Sequence, residues 1–326
     1  MGTPEFAVAS LDALVKAGCN IVGVITAPDK PAGRGMELQQ SAVKEYAVEN
    51  NLHILQPEKL KSSEFLEELK LLTADLQIVV AFRMLPAVVW NMPPMGSVNL
   101  HGSLLPQYRG AAPINWAVIN GEKETGVTTF KLKHEIDTGD ILLQESFAIA
   151  ETDNAGDVHD RMKKIGAALL VKTIKGLAEG SLHETPQSSV VNGDLSDVSR
   201  EPAKVDSPLT IHVSQLTPHN SLKHAPKIFT ETCTINWQKP VDEVYNLIRG
   251  LAPYPTAFTF LQDKKLKIFK AEKIKTSTAK TAGNFETDGK SYLYFACPDG
   301  YISVLNLQLE GKKKMDIAAF LRGYHF

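Results

Sequence analysis

Three polar side chains are spaced so that they could act together at the ends of two predicted strands. Residues 98–101 alternate apolar and polar, and Asn99 and His101 hold the polar positions, so both side chains leave the same face of the strand. Asp137 stands in a turn that follows a second predicted strand at 127–132. Because α/β proteins bind ligands at the C-terminal ends of their strands, we expect one ligand site here.

An amide, an imidazole and a carboxylate can catalyse acyl transfer to an amine without a nucleophilic serine or cysteine. His101, tuned by Asp137, can relay a proton and donate to a developing oxyanion, and Asn99 can supply a second donor. The same residue types also have an ordinary structural interpretation, since Asn-x-His can be a satisfied polar pair and Asp-Thr-Gly-Asp is a common turn. Spacing alone leaves both interpretations open.

Longer motifs surround these residues: NLHGSLLP at 99–106, YRGAAPI at 108–114, ETGVT at 124–128 and DTGD at 137–140. These motifs resemble those of the folate-dependent formyltransferases, and within them the branch that acts on methionyl-tRNA. Further similar stretches cover nearly the whole chain: GTPEFAV at 2–8, PDKPAGRG at 28–35, APKI at 225–228, LIRGL at 247–251 and EGKKKM at 310–315.

The resemblance implies transfer of the formyl group of 10-formyltetrahydrofolate to the α-amino group of methionine on initiator tRNA, giving formylmethionyl initiator tRNA. In that reaction Asn99 and His101 stabilise the oxyanion of a tetrahedral intermediate, and Asp137 orients His101 and helps to move the amine's proton. The resemblance also implies a folate-binding wall made of Ser103, Leu104, Leu105 and Pro106. We expect no metal.

A Pro- and Gly-rich loop at 28–40 carries two basic residues, Lys30 and Arg34. Its structural interpretation is a flexible crossover between elements. The resemblance instead implies an inserted loop that meets the acceptor end of the tRNA, where Lys30 and Arg34 contact phosphates. Met36 and Glu37 stand where relatives often have lysines, so we expect a weaker electrostatic contribution from this loop.

The elements that must position these residues alternate between strand and helix. An apolar stripe predicts a helix from Phe6 to Gly18, and apolar runs predict strands at 21–25, 53–55 and 76–81. This alternation predicts a doubly wound, mainly parallel α/β sheet, Rossmann-like in type. No glycine-rich dinucleotide or phosphate fingerprint follows any predicted strand, which disfavours a nucleotide cofactor.

The chain divides into two predicted domains and a linker. We expect a formyltransferase catalytic domain at 1–185, which closes with a long amphipathic helix within 153–180. Residues 186–221 are rich in Ser, Pro, Asp and Asn and predict a linker, within which 209–213 could add a small strand. Short strands predict a small β-barrel at 222–326, and the resemblance implies that this domain is OB-like and binds tRNA. Those strands are 232–237, 256–261, 266–274, 292–296 and 301–309. One helix is predicted at 241–251, with an apolar inward face of Val244, Leu247 and Ile248.

Charge is unevenly distributed along the 326 residues. Residues 205–326 hold 16 Lys and Arg against 11 Asp and Glu, and the remainder of the chain holds 19 against 26. A basic C-terminal part is a modest indication of a polyanionic partner, although solvated surface lysines give the same count. The lysines concerned are Lys264, Lys265, Lys267, Lys270, Lys273, Lys275 and Lys312 to Lys314.

Composition also bounds the class of protein. No apolar run reaches the length of a membrane span and no signal region is present, so we expect a cytoplasmic protein. We also expect a monomer. The three cysteines have no metal-type spacing, so neither a disulfide framework nor a zinc site is supported. The strand expected before the first helix is absent, so we expect further strand residues upstream of Met1 in the native protein.

Three alternative functions share the central motif or the fold. Transformylases of small amines and formyltetrahydrofolate hydrolases are enzymes of the same kind, and a non-catalytic RNA-binding protein could keep the fold. A single-domain transformylase would not need residues 222–326, and a sugar-nucleotide enzyme is usually fused to a dehydrogenase domain. An intact set of Asn99, His101 and Asp137 argues against the non-catalytic alternative.

Overall fold

The computed structural model describes residues 1–32, 36–191, 222–277 and 280–324. Two compact units share the chain. The first comprises Met1–Arg109, Gly126–Phe147 and Asp160–Lys223, and the second comprises Gly110–Thr125, Ala148–His159 and His224–Phe326. Gly110–Thr125 and Ala148–His159, which lie in the N-terminal half of the sequence, are therefore grouped with the C-terminal part.

The N-terminal half alternates helices and strands, as the sequence predicts. The elements are α1 (Glu5–Lys16), β1 (Val24–Ile25), β2 (Lys30–Ala32), β3 (Glu37–Gln39), α2 (Ala42–Glu49), β4 (Ile54–Leu55), α3 (Ser63–Leu71), β5 (Gln77–Val80), α4 (Ala87–Trp90), β6 (Ser97–His101), β7 (Arg109–Gly110), α5 (Pro113–Ile119), β8 (Glu124–Lys131), β9 (Ile141–Ala148), α6 (Ala155–Ala178) and α7 (Gln187–Val191). Ser41 and Ser62 cap α2 and α3 through their hydroxyl oxygens.

The central sheet runs β5-β6-β8-β9. Strands β5 and β6 are parallel, β6 and β8 are antiparallel, and a parallel pair β1–β4 lies beside them. The backbone of Met1 and Gly2 joins the two parts, because Val80 N donates to Met1 O at 2.9 Å and Gly2 N donates to Ile25 O at 3.1 Å. The predicted doubly wound, mainly parallel sheet is confirmed.

The C-terminal part is built on a curled antiparallel sheet. Its elements are β10 (His224–Ala225), a 3-10 helix (Glu231–Cys233), α8 (Val241–Leu251), β11 (Ala257–Leu261), β12 (Lys264–Lys275), β13 (Phe285–Thr287), β14 (Leu293–Cys297), β15 (Gly300–Leu309), β16 (Met315–Asp316) and α9 (Ile317–Arg322). The strand order is β11-β12-β15-β14-β13, with β16 paired to β15. This half-barrel confirms the predicted class of a small β domain after the α/β domain.

Helix α8 packs against this sheet. Val244, Ile248 and Leu251 are at most 2% exposed and belong to one core cluster with the strands, and Leu247 packs against the same cluster. The predicted inward face of this helix is therefore confirmed. Burying three such side chains contributes roughly 1.5–3 kcal/mol each, which orders the sheet around the helix.

The predicted strand at 232–237 is wrong. A 3-10 helix occupies Glu231–Cys233, and only a single bridge, Thr234 to Phe258, follows it. Cys233, Ile235 and Trp237 are nevertheless all buried, at 9% exposure or less. Alternating burial thus produced the period-2 pattern, but a strand also needs a continuous partner edge, which sequence cannot supply.

Candidate active site

Strand β6 carries Asn99 and His101 on one face of the central sheet. Its register with β8 sets Asn99 opposite Phe130 and His101 opposite Thr128. His101 is only 6% exposed, and its ring makes an edge contact with the fully buried Phe130, at 6.5 Å between ring centroids. Asn99 is half-buried, and its amide makes no hydrogen bond to any residue that the structure describes. The Asn99 amide is therefore available to hydrogen-bond a ligand.

The two ring nitrogens of His101 have different partners. Nε2 lies 2.9 Å from the carbonyl oxygen of Tyr108. A carbonyl can only accept, so Nε2 carries a proton and donates it to this bond. Nδ1 lies 3.8 Å from Oδ2 of Asp137, which is too long for a hydrogen bond but close enough for strong attraction once Nδ1 is protonated. Nδ1 is therefore the ring nitrogen that is not committed to the bond with Tyr108.

Asp137 is held in an unusual backbone conformation between β8 and β9. Its φ is +54°, in the left-handed region that non-glycine residues rarely adopt, and its side chain is only 12% exposed. Two residues later the chain passes against β8, where a Cβ on Gly139 would lie 1.6 Å from the carbonyl oxygen of Lys131. Only glycine fits there, so this turn fixes where the carboxylate emerges.

The loop after β6 is fastened to the neighbouring strands by a buried hydroxyl. Thr128 Oγ1 on β8 donates to Ser103 O at 2.6 Å and accepts from Leu105 N at 3.1 Å. Gln144 on β9 donates both to Leu105 O at 2.8 Å and to Thr128 Oγ1 at 2.9 Å. These bonds leave the loop little freedom, so it meets a ligand as a rigid surface.

Of the four residues predicted to line a folate, two direct their side chains into the protein. The Ser103 hydroxyl donates to Gln107 O at 2.6 Å, and Leu105 is 1% exposed in a cluster with Phe130 and Ile141. Pro106 is buried and Leu104 is half-buried. Ser103 and Leu105 therefore do not present their side chains to a ligand, and the folate assignment of all four residues stays a prediction.

Sequence reasoning missed Thr128, Gln144 and Gln187 as residues that shape this site. Gln144 did carry a signal, because it is the polar residue inside the otherwise apolar start of β9. Gln187 carried none, since it lies in the segment predicted as linker. It is 4% exposed, and its amide donates to the carbonyl oxygens of Asp137 and Gly139, both at 2.8 Å.

The predicted tRNA-contacting loop contains a β-hairpin. Lys30 is exposed at the start of β2, whose three residues pair with β3, whereas Arg34 lies outside the described residues. At its base Asp29 accepts hydrogen bonds from Lys44 and from Gln56. The Lys44 bond first, and then the Gln56 bond, hold the pKa of the Asp29 carboxyl below its usual range. The contact with tRNA stays a prediction.

Arg83, in the loop after β5, turns towards the chain before α3. Its guanidinium donates to the carbonyl oxygens of Glu58, at 2.9 Å, and Pro57. These two bonds hold the Arg83 side chain against the backbone of residues 57–58.

The lysines of the C-terminal sheet fall into two electrostatic groups. Lys273 and Lys275 both pair with Asp242, and Lys273 also pairs with Glu151. Lys265 lies over the ring of Phe258 at 4.1 Å. The remaining lysines of the two predicted stretches, none of which is in a recorded ion pair within the described residues, are Lys264, Lys265, Lys267, Lys270, Lys312, Lys313 and Lys314.

The described residues contain no group of three or more His, Cys, Asp or Glu side chains that could hold a metal ion. None of their helices is long and apolar enough to cross a bilayer.

Family models match both parts of the chain. The model described as "Formyl transferase" matches residues 1–174, and the one described as "Formyl transferase, C-terminal domain" matches residues 227–325. The chain belongs to the formyl transferase family. The resemblance seen in the motifs of residues 99–140 is thereby confirmed, and so is its extension over the C-terminal part.

Curated formyl transferases resemble the chain over its whole length. A methionyl-tRNA formyltransferase of Bacteroides fragilis is 50% identical over 330 residues, covering 100% of this chain and 94% of that protein. One of Phocaeicola vulgatus is 53% identical, covering 99% and 94% respectively. Among solved structures, an N-formyltransferase from Helicobacter canadensis in complex with folinic acid and dTDP-3-aminofucose shares the fold. Its TM-score is 0.60 at 21% identity, with 96% of this chain and 97% of that chain covered.

Proposed function

We propose that this formyl transferase moves the formyl group of 10-formyltetrahydrofolate to the α-amino group of methionine carried by initiator tRNA. The observation that carries the choice of acceptor is the identity of about half of all residues to proteins named methionyl-tRNA formyltransferase, over both domains. The C-terminal part supports it independently, because its exposed lysines suit a polyanionic substrate.

The geometry of the site supports amine attack on a formyl carbon without a covalent enzyme intermediate. The neutral amine forms a C–N bond to the formyl carbon, and the carbonyl electron pair moves onto oxygen. Asn99 donates to this oxyanion through its free amide, and His101 donates through Nδ1. Removing one such donor typically costs about 3 kcal/mol of the barrier.

Proton transfer completes the reaction. The attacking nitrogen, positive after addition, loses a proton through water to Asp137, whose charge also stabilises His101 when Nδ1 is protonated. The oxyanion electron pair then re-forms the carbonyl, and the bond from the formyl carbon to N10 of the folate breaks. N10 takes, again through water, the proton that Asp137 had accepted, which restores the carboxylate. Atoms and charges balance, with formylmethionyl-tRNA and tetrahydrofolate as products.

The folate donor is supported by the family and by the rigid loop at 103–107. The solved relative from Helicobacter canadensis holds folinic acid. In this chain Thr128 and Gln144 fasten the loop at 103–107, so the loop and the half-buried Leu104 form a rigid folate wall. The tRNA is bound by Lys30 on the hairpin and by those lysines of the C-terminal sheet that form no ion pair within the described residues.

The test measures transfer of radiolabelled formyl from 10-formyltetrahydrofolate, with charged initiator tRNA and elongator methionyl-tRNA offered side by side. Label on the initiator tRNA alone supports the proposal in full. Equal label on both tRNAs keeps the reaction but removes the choice of initiator. Label on a small amine only, or release of formate, would overturn the proposal in favour of a transformylase or a hydrolase.

A further inference from the structure

Gln187 reaches the candidate active site because the chain after α6 returns to the start of β9. Ile141 N donates to Thr185 O at 2.8 Å, and Thr185 N donates to Ile141 O at 2.9 Å, which forms an antiparallel bridge. Ile141 lies four residues after Asp137. The bridge therefore brings Gln187, two residues beyond Thr185, against the turn that presents the carboxylate.

Both ends of the Gln187 amide are used, and they hold two different segments of the site. Its Nε2 donates to Asp137 O and Gly139 O, both at 2.8 Å. Its Oε1 accepts from Nε of Arg109 at 3.0 Å and from Nη2 at 2.5 Å. Arg109 directly follows Tyr108, whose carbonyl accepts from His101. One side chain thus links the carboxylate turn to the segment that fixes the histidine.

The two linked segments each contain a residue that needs external support. Asp137 has φ +54° and Tyr108 has φ +58°, so both stand in the left-handed region without being glycine. Such conformations persist only where the surrounding structure holds them. The hydrogen bonds of Gln187 fall on Asp137 itself and on the residue after Tyr108, which is where support is needed.

We propose that Gln187 is a positioning residue, which holds the Asp137 carboxylate opposite His101 Nδ1 and the Tyr108 carbonyl opposite His101 Nε2. This inference rests on the proposed function for its catalytic consequence. The neutral Gln187 amide bonds Arg109 and two backbone carbonyls, and it bonds neither the His101 ring nor the Asp137 carboxylate. Its loss therefore alters the geometry of the His101–Asp137 pair and leaves substrate binding in place. The segment predicted as linker therefore contributes a residue to the site.

The test compares Gln187→Met, which has similar length but no hydrogen bonds, with Gln187→Glu, which keeps an acceptor for Arg109 but cannot donate to the two carbonyls. We expect kcat to fall by between roughly 10-fold and 100-fold in both, because small misplacement of catalytic groups is costly. KM for each substrate stays within about twofold, since ground-state binding is untouched. Unchanged kcat in both variants would overturn the inference.

A matched control separates positioning from general stability. Thr259→Val removes the acceptor of a buried hydrogen bond from Trp237 Nε1, 3.0 Å long, in the core of the C-terminal part. Melting temperatures are measured for all variants, and kinetics are measured well below them. We expect Thr259→Val to lower the melting temperature and keep the wild-type kcat. If kcat fell as much in Thr259→Val as in the Gln187 variants, Gln187 would be an ordinary stabilising residue and the positioning role would be wrong.

A second measurement needs no substrate and keeps the inference independent of the proposed function. A crystal structure of Gln187→Glu should show the Asp137 carboxylate displaced from its place 3.8 Å from His101 Nδ1. An unchanged separation would overturn the positioning role even if the wild-type protein formylates some other amine. Absence of formylmethionyl-tRNA with the wild-type protein, in contrast, would overturn only the proposed function.

Discussion

His101 and Tyr108 are joined by a hydrogen bond from the ring Nε2 to the backbone carbonyl oxygen, 2.9 Å long. A backbone carbonyl is present whatever side chain stands at position 108, so this bond fixes the histidine ring independently of substitution there. It leaves Nδ1 facing Asp137 at 3.8 Å. The fold of a loop seven residues along the chain thus decides which ring nitrogen faces Asp137.

His101→Gln tests that assignment of the two nitrogens. A glutamine amide can replace Nε2 as the donor to Tyr108, but it places nothing opposite Asp137. We therefore expect a folded protein whose kcat is lower by roughly 10²- to 10⁴-fold, the usual contribution of a general acid–base group. Single-turnover formyl transfer and a filter-binding measurement of tRNA affinity check this. A variant with near-normal turnover would return the catalytic role to Nε2 or to another residue.

Asn99→Ala tests the second oxyanion donor. The amide is half-buried and has no hydrogen-bond partner among the described residues, so its removal should not disturb folding. We expect kcat to fall by roughly 10²- to 10³-fold with tRNA affinity unchanged. Asn50→Ala is the matched control, because Asn50 donates to Tyr46 O on an exposed surface. Equal activity of the two variants would remove Asn99 from the mechanism.

Gly139→Ala tests the close approach of the carboxylate turn to β8. The added methyl group would lie 1.6 Å from the Lys131 carbonyl oxygen, so the turn must move. Overpacking of this kind costs about 1–3 kcal/mol or more, and the movement should also lower kcat. Gly323→Ala is the control, since nothing lies within 4 Å of a Cβ there. Chemical denaturation that gives the same unfolding free energy for both variants would contradict the prediction.

Lys44→Met tests the ion pair at the base of the hairpin. Lys44 and Gln56 lower the pKa of Asp29, so the folded state binds this proton less readily than the unfolded chain, whose carboxyl has a pKa near 3.8. The stabilisation is therefore present above that pH and is lost as the pH falls through the lower folded-state value. Denaturation of wild type and variant should differ at pH 7 and converge below pH 4, at roughly the point where the carboxyl protonates.

The control for this pair is Lys16→Met. Lys16 pairs with Asp12 at 2.8 Å, but its side chain is 74% exposed, so solvent screens the attraction. We expect little change in unfolding free energy at either pH. A difference between Lys44→Met and wild type that persists unchanged into acid would show that lost packing, rather than the Asp29 charge, causes the destabilisation.

The two electrostatic groups of lysines should behave differently towards tRNA. Replacing Lys312, Lys313 and Lys314 with glutamine removes exposed charges, so we expect weaker tRNA binding and a shallower dependence of affinity on salt. Replacing Lys273 and Lys275 removes charges already paired with Asp242, so the salt dependence should stay close to that of wild type. Equal effects of the two sets, measured by binding at several salt concentrations, would contradict this division.

Much of the fold was readable from local patterns. Alternating strand and helix signals predicted the doubly wound sheet, and the apolar stripe of residues 241–251 predicted the buried face of α8. The strand at 232–237 failed because burial of alternate residues imitates a strand when the backbone instead forms a short 3-10 helix. Local pattern reports which side chains face the core, whereas a strand also requires a pairing partner elsewhere in the chain.

By itself the sequence determined the family and the chemical groups of the site. Asn99 and His101 share a face because alternation along a strand is a local property, and the turn at Asp137 is predicted by the types of residues 137–140 alone. The tertiary structure alone decided which histidine nitrogen faces Asp137, that Ser103 and Leu105 point inward, and that Gln187 enters the site. Each depends on hydrogen bonds or packing between residues that the chain brings together only by folding, 50 positions apart for Gln187 and Asp137.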